Sequence, residues 1–213
     1  MSSRATGATE RSGTRCIARG NNLAVNAFFR RVPNVHALPR YERAIAAVAD
    51  LLTRQRIESV FLGNVACSAW LGRKVERGSL DVLALMTPQQ KNPVTMMASH
   101  RGFRIDREEV EQSEELDLVP LHLDDEEGSI AVHVLVASNA LYGRMVAAGI
   151  PVSMSELSLR VPPPEDLALL LSMAEDDQSQ RDREMLTRLP EFDRRGFNER
   201  LVSIGLPQLV IAE

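Results

Sequence analysis

Lysine is almost missing from this chain: its basic residues are Lys74, Lys91 and 23 arginines. A count of arginines therefore reflects coding bias as much as contact with phosphates. Cysteine is scarce too, with Cys16 in a polar, Arg-rich lead and Cys67 in an apolar run. Two thiols in such unlike contexts exclude a disulfide scaffold and fit a reducing compartment. The chain lacks any run of about 18 apolar residues that could span a bilayer. Its start lacks the compact apolar core of a secretory signal. These absences predict a soluble, cytoplasmic protein with no membrane partner. His36, His100 and His122 lie far apart without ligand spacing, which excludes a dedicated zinc site. No internal repeat or heptad pattern is present.

What is present is enough for one full core. With 213 residues, 44% of them hydrophobic, the chain can bury a core without disulfides or metals to hold it. The charge is unevenly spread. Residues 1–35 hold six arginines against Glu10, a net of +5, so with −4 overall the rest carries about −9. A basic lead on an acidic body can contact nucleic acid or membrane phosphates, and an Arg-rich, acid-poor lead also resembles an organellar transit peptide. The simplest expectation is a disordered basic extension over residues 1–35.

The remaining pattern alternates between helix and strand. After Pro39, Ile45, Val48, Ala49 and Leu52 recur at i, i+3, i+4, i+7, which predicts an amphipathic helix over 40–54. The strand 59–62 ends at Gly63-Asn64 and passes into a helix over 65–72, a chain geometry suited to cradling a phosphate. Another strand surrounds Asp81, a helix runs from Thr87-Pro88 to about Ser99, and a short strand covers 102–105. Strands over 116–123 and 129–136 flank Asp124-Asp125-Glu126-Glu127-Gly128, which reads as a hairpin turn. The acidic stretches 108–115 and 124–127 are expected to be solvated loops, because like charges repel and stay wet. A helix over 139–148 follows, and residues 157–161 are expected to return toward the sheet. Pro162-Pro163-Pro164 then marks a boundary before helices over 164–174, 180–189 and 198–204. This predicts an α+β fold: a mixed β-sheet flanked by helices over 36–161, then a small C-terminal helical bundle over 162–213.

Most of the chemical information lies in Arg77-Gly78-Ser79-Leu80-Asp81-Val82-Leu83. Side chains alternate along a strand, so a pair of carboxylates at 81 and 83 would share one face and could hold a hard divalent ion against a triphosphate. Position 83 is leucine, which has no lone pair to offer. Each residue also has a plain structural role open to it. Asp81 can pair with Arg77, Gly63 can serve only as a turn, and Trp70 is expected in the core.

Taken in order, strand-Gly63-Asn64-helix, Arg77-x-Ser79-x-Asp81, the strand ending Val132-His133-Val134-Leu135, and Pro164-Glu165-Asp166-Leu167 resemble the polymerase-β-like nucleotidyltransferase superfamily. The nearest subgroup by these motifs is the bacterial nucleotidyltransferase-like proteins related to abortive-infection toxins. The resemblance implies nucleotide binding through Gly63, Asn64, Arg77 and Ser79, and a metal ligand at Asp81. It implies Mg²⁺ or Mn²⁺ wherever a nucleotide is bound. It also places a second carboxylate at 83, a third at 133 and a lysine at 171, where this chain has Leu83, His133 and Leu171.

These departures shape the functional expectation. The leading reading is a nucleotidyltransferase-fold protein, degenerate as a transferase, that binds a nucleoside triphosphate or serves a regulatory or interaction role. An alternative is an active transferase in which catalytic Asp81 and His133 share one ion, with Glu76 or a substrate phosphate completing the set, and the nucleotide passes to an RNA, protein or small-molecule acceptor. A third is a toxin–antitoxin or defence component with a protein partner, its nucleic-acid contact made through residues 1–35.

Overall fold

The computed structural model describes residues 38–113 and 116–204. The basic lead, with Cys16 and His36, lies outside the described residues, as does the end of the acidic stretch at 114–115.

Helix α1 (Arg40–Arg54) follows Pro39 as expected, and its stripe of Ile45, Val48, Ala49 and Leu52 is buried. Strand β1 (Ser59–Phe61) leads into α2 (Gly63–Leu71), which stops at Gly72 in the left-handed region, φ 63°. Then come β2 (Leu80–Ala84), α3 (Lys91–His100), β3 (Phe103–Arg104) and α4 (Arg107–Gln112). The hairpin β4 (Leu118–Asp125) and β5 (Gly128–Val136) precedes α5 (Ala140–Ala147). Strands β6 (Ile150–Met154) and β7 (Leu157–Val161) come next, followed by α6 (Pro164–Leu171), α7 (Asp177–Leu186) and α8 (Arg194–Ser203). Among the described residues no helix is long and apolar enough to cross a membrane.

The expected mixed sheet has strand order β1-β2-β5-β4-β3. Its β2 and β5 run parallel and its other pairs antiparallel. Alternation splits the sheet into two faces. Leu80, Val82 and Ala84 of β2, with Val132, Val134 and Val136 of β5, enter the larger core. That core also contains residues of α1, α2 and α3 and of the C-terminal helices, so the helical part packs onto the α/β part through shared hydrocarbon. On the other face Leu83 joins Val60, Leu62, Met145 and Val146 in a small second cluster under α5.

Two local expectations are corrected. Residues 107–112 form a helix, because Asp106 caps it by accepting from the N–H groups of Glu108 and Glu109 and acids in a first turn suit the helix dipole. Asp124 and Asp125 are strand residues whose charge is offset from a distance. Arg40 Nε donates to both oxygens of Asp125 at 3.0 and 2.9 Å, and Arg104 Nε donates to Asp124 at 2.9 Å. The hairpin turn thereby shrinks to Glu126-Glu127 ahead of Gly128, whose φ of 118° suits glycine. As expected, residues 157–161 return toward the sheet: β7 lies close to β1, while its hydrogen-bonded partner is β6 in a separate two-stranded sheet.

The Pro-Glu-Asp-Leu segment starts α6 and is buried. Asp166, 1% exposed, faces Arg200 Nε at 3.3 Å and Arg144 at 3.5 Å. Glu165 accepts the backbone N–H of Asp193 at 2.6 Å. These two acids therefore tie α5 and the start of α8 to the first turn of α6.

Candidate functional site

The parallel pairing of β2 and β5 sets Asp81 opposite His133 and, two residues on, Leu83 opposite Leu135. Asp81 and His133 project to the same face, and the ring N–H at Nδ1 of His133 donates to Asp81 Oδ1 at 2.8 Å. Ser79 Oγ donates to the same oxygen at 3.1 Å. The hydrogen bond to Asp81 raises the pKa of His133 above the ordinary imidazole value; partial burial opposes this, and the charges of Asp81 and Glu109 add to it. Arg77 does not pair with Asp81, and His133 holds that place.

The turn into α2 abuts the same aspartate. Leu62 N–H donates to the backbone oxygen of Asp81 at 2.8 Å. Gly63 takes φ 50°, and a Cβ added there would stand 3.0 Å from Asp81 Oδ2. Glycine is thus required twice over, by its backbone angle and by the carboxylate beside it. Asn64 is committed to structure: its amide donates to the backbone oxygen of Arg77 at 2.8 Å and staples the 73–78 loop to α2.

Beside this turn lies a cleft of about 670 Å³ between α2, the 73–78 loop and α7. Of the residues to which the resemblance gave nucleotide binding, Gly63, Asn64 and Arg77 line it and Ser79 does not; Glu76, assigned to the alternative ion set, is also on its wall. Arg73, Lys74, Ser68, Gln178, Ser179 and Asp182 also line it and were missed. Asp182 is buried and accepts from Arg73 at 2.7 Å and Gln178 at 2.9 Å. Arg73 and Asp182 are 109 residues apart, so no local signal could have paired them. Leu171 is on the α6 side of this cleft. Cys67 borders it as well, but burial pushes its thiol up to about 12, with Asp182 adding to the rise; the thiol stays protonated and is a poor nucleophile. Trp70 packs partly buried against the core, its indole N–H donating to Pro162 O at 3.0 Å.

Leu83, at the position where the resemblance places a second carboxylate, is fully buried among Val60, Leu62, Met145 and Val146. Among the described residues no three of His, Cys, Asp and Glu come together as metal donors.

No protein-family model matches the sequence, and no curated protein matches it. Among solved structures the chain is similar to the lincosamide antibiotic adenylyltransferase LnuA in its lincomycin-bound crystal structure, with TM-score 0.48, 11% identity and coverage of 69% of this chain and 96% of that one. It is similar to the antibiotic-resistance factor ANT(2'')-Ia, with TM-score 0.45, 12% identity and coverage of 75% and 92%. It is also similar to an antigenic nucleotidyltransferase-like protein from Paracoccidioides brasiliensis, with TM-score 0.45, 14% identity and coverage of 76% and 85%.

Proposed function

We propose that this chain is a nucleotidyltransferase-fold protein that has lost metal-dependent transfer and keeps a nucleotide-binding cleft, which it uses in a regulatory or interaction role. The observation that carries the reading is the state of the β2–β5 face. Two ions that activate a nucleophile and a leaving group need several carboxylates about them. Here one carboxylate, Asp81, is already bonded to His133 and Ser79. The position of the next, Leu83, is sealed in hydrocarbon under α5. The residues present do not fit a pair of Mg²⁺ or Mn²⁺ ions.

The nucleotide part of the proposal rests on the cleft beside the Gly63 turn, with Arg77 on its wall. The alternative, an active transferase in which Asp81 and His133 share one ion, has their adjacency in its favour. Against it, the ring nitrogen that faces Asp81 is occupied by their mutual hydrogen bond, and Glu76 lies on the exposed loop. A protein partner, and nucleic-acid contact through residues 1–35, belong to the same proposal as routes for its interaction role.

The test is a transfer assay with labelled nucleoside triphosphates in Mg²⁺ and in Mn²⁺, using RNA, protein and aminoglycoside-type alcohols as acceptors. No transfer is expected. Transfer at a rate abolished by Asp81→Ala would overturn the proposal, and loss on His133→Ala in Mn²⁺ would favour the alternative.

A further inference from the structure

The cleft's charge is distributed in a way that bears on how it could hold an anion. Arg73 is committed to the buried Asp182. That leaves Lys74 and Arg77, both exposed on the 73–78 loop, against one lining acid, Glu76. Among the described residues neither Lys74 nor Arg77 is held in an ion pair. The opposite side offers Leu171 and the already paired Asp182. At the inner end, past the Gly63 turn, the negative charge of Asp81 is met by His133.

A divalent ion bridges protein and phosphate only where the protein supplies oxygen ligands of its own. This cleft's unpaired charges are instead two cations, Lys74 and Arg77, against the single acid Glu76, a net positive charge, and direct bonds from ammonium and guanidinium groups to phosphate oxygens are strong and charge-assisted. We infer that the cleft holds the polyphosphate of a nucleoside triphosphate directly on Lys74 and Arg77, with no divalent ion between protein and phosphate. The inference rests on the nucleotide-binding reading above and deepens it. It carries a consequence opposite in sign to metal-dependent binding: Mg²⁺ competes with the protein for the same phosphate oxygens and weakens the complex.

Isothermal titration calorimetry on the full chain tests this, with ATP and inorganic tripolyphosphate as probes, in EDTA and in excess MgCl₂ at matched ionic strength. Both probes are expected to bind in EDTA, and ATP to bind less tightly in MgCl₂. Lys74→Ala and Arg77→Ala, which truncate exposed side chains, should each weaken binding about tenfold. Asp81→Asn should leave it nearly unchanged, because the charge of Asp81 is already met by His133. ATP binding that needs Mg²⁺ and is lost on Asp81→Asn overturns this inference and leaves nucleotide binding standing. Binding of ATP without binding of tripolyphosphate also overturns it, because the phosphates would not be the held part. Absence of binding by either probe in both buffers overturns this inference and the nucleotide-binding reading together.

Discussion

Two pairs of residues on one face of β2 and β5, one step apart along the strands, have opposite characters. Asp81 and His133 are polar, partly exposed and bonded to each other. Leu83 and Leu135 are apolar, and Leu83 lies at zero exposure beneath Met145 and Val146 of α5. The strand geometry is the same at both steps, so the difference comes from what covers them. Helix α5 covers the second pair, and the first borders the Gly63 turn. A carboxylate can persist where a polar partner faces it and is excluded where only methyl groups do.

The sharpest way to break this comparison is to make the two steps alike. Leu83→Asp restores the Asp-x-Asp spacing but sets an unpaired charge among Val60, Leu62, Met145 and Val146. The expected loss is about 4 kcal/mol of stability, which would leave a marginal domain largely unfolded. Urea denaturation followed by circular dichroism checks it. A variant as stable as the parent would mean that α5 lifts readily and that the cover is not a seal. Removing the cover from the other side should cost somewhat less. Met145→Ala opens a cavity over Leu83 without introducing charge, for an expected loss of about 3 kcal/mol by the same measurement.

How much of this was legible in the sequence depends on the range of the cause. The α1 stripe, the Gly63 turn, the β4–β5 hairpin and the alternation that puts Asp81 and Leu83 on one face are local patterns, and they are found where the periodicity sets them. That Leu83 cannot ligate was readable from its chemistry. Its burial was not, because the covering residues Met145 and Val146 are far along the chain, on a helix whose packing no local pattern states. The acidic stretch 124–127 was misjudged for the same reason, whereas the helix at 107–112 has a local cause, the Asp106 cap. Asp125 looks like a loop residue until Arg40, 85 positions earlier, is brought beside it. The far wall of the cleft was likewise unreadable, since the Arg73–Asp182 pair exists only once α7 has docked on α2.

A smaller effect sharpens the polar step. Gly63→Ala must hold a side chain at φ 50° and place its Cβ 3.0 Å from Asp81 Oδ2. The left-handed backbone alone costs about 1 kcal/mol, and the carboxylate must then shift away from the turn. Thermal unfolding should register about 1–2 kcal/mol in total. The His133 imidazole resonances should move as Asp81 is displaced. Unchanged resonances in a destabilised variant would separate the turn from the Asp81–His133 pair.

The smallest expected effect is the one that reads the pair itself. His133 has its pKa raised above 6.5, chiefly by its hydrogen bond to Asp81. A group whose folded pKa is raised binds its proton more tightly in the native state. The resulting stability is complete below about pH 6.5 and is lost as pH rises through the folded value. In a His133→Gln variant the side-chain amide could still donate a hydrogen bond to Asp81, so the exchange removes the titrating charge and little else. The stability difference between parent and His133→Gln should therefore be flat in acid solution and narrow above pH 6.5. Its size should not exceed about 1 kcal/mol, because the side chains are 40% and 32% exposed and water screens such a pair. Chemical denaturation across this pH range reads the trend directly. A difference that widened with rising pH would mean that neutral His133 is the stabilising form, and that Asp81 is not what holds its proton.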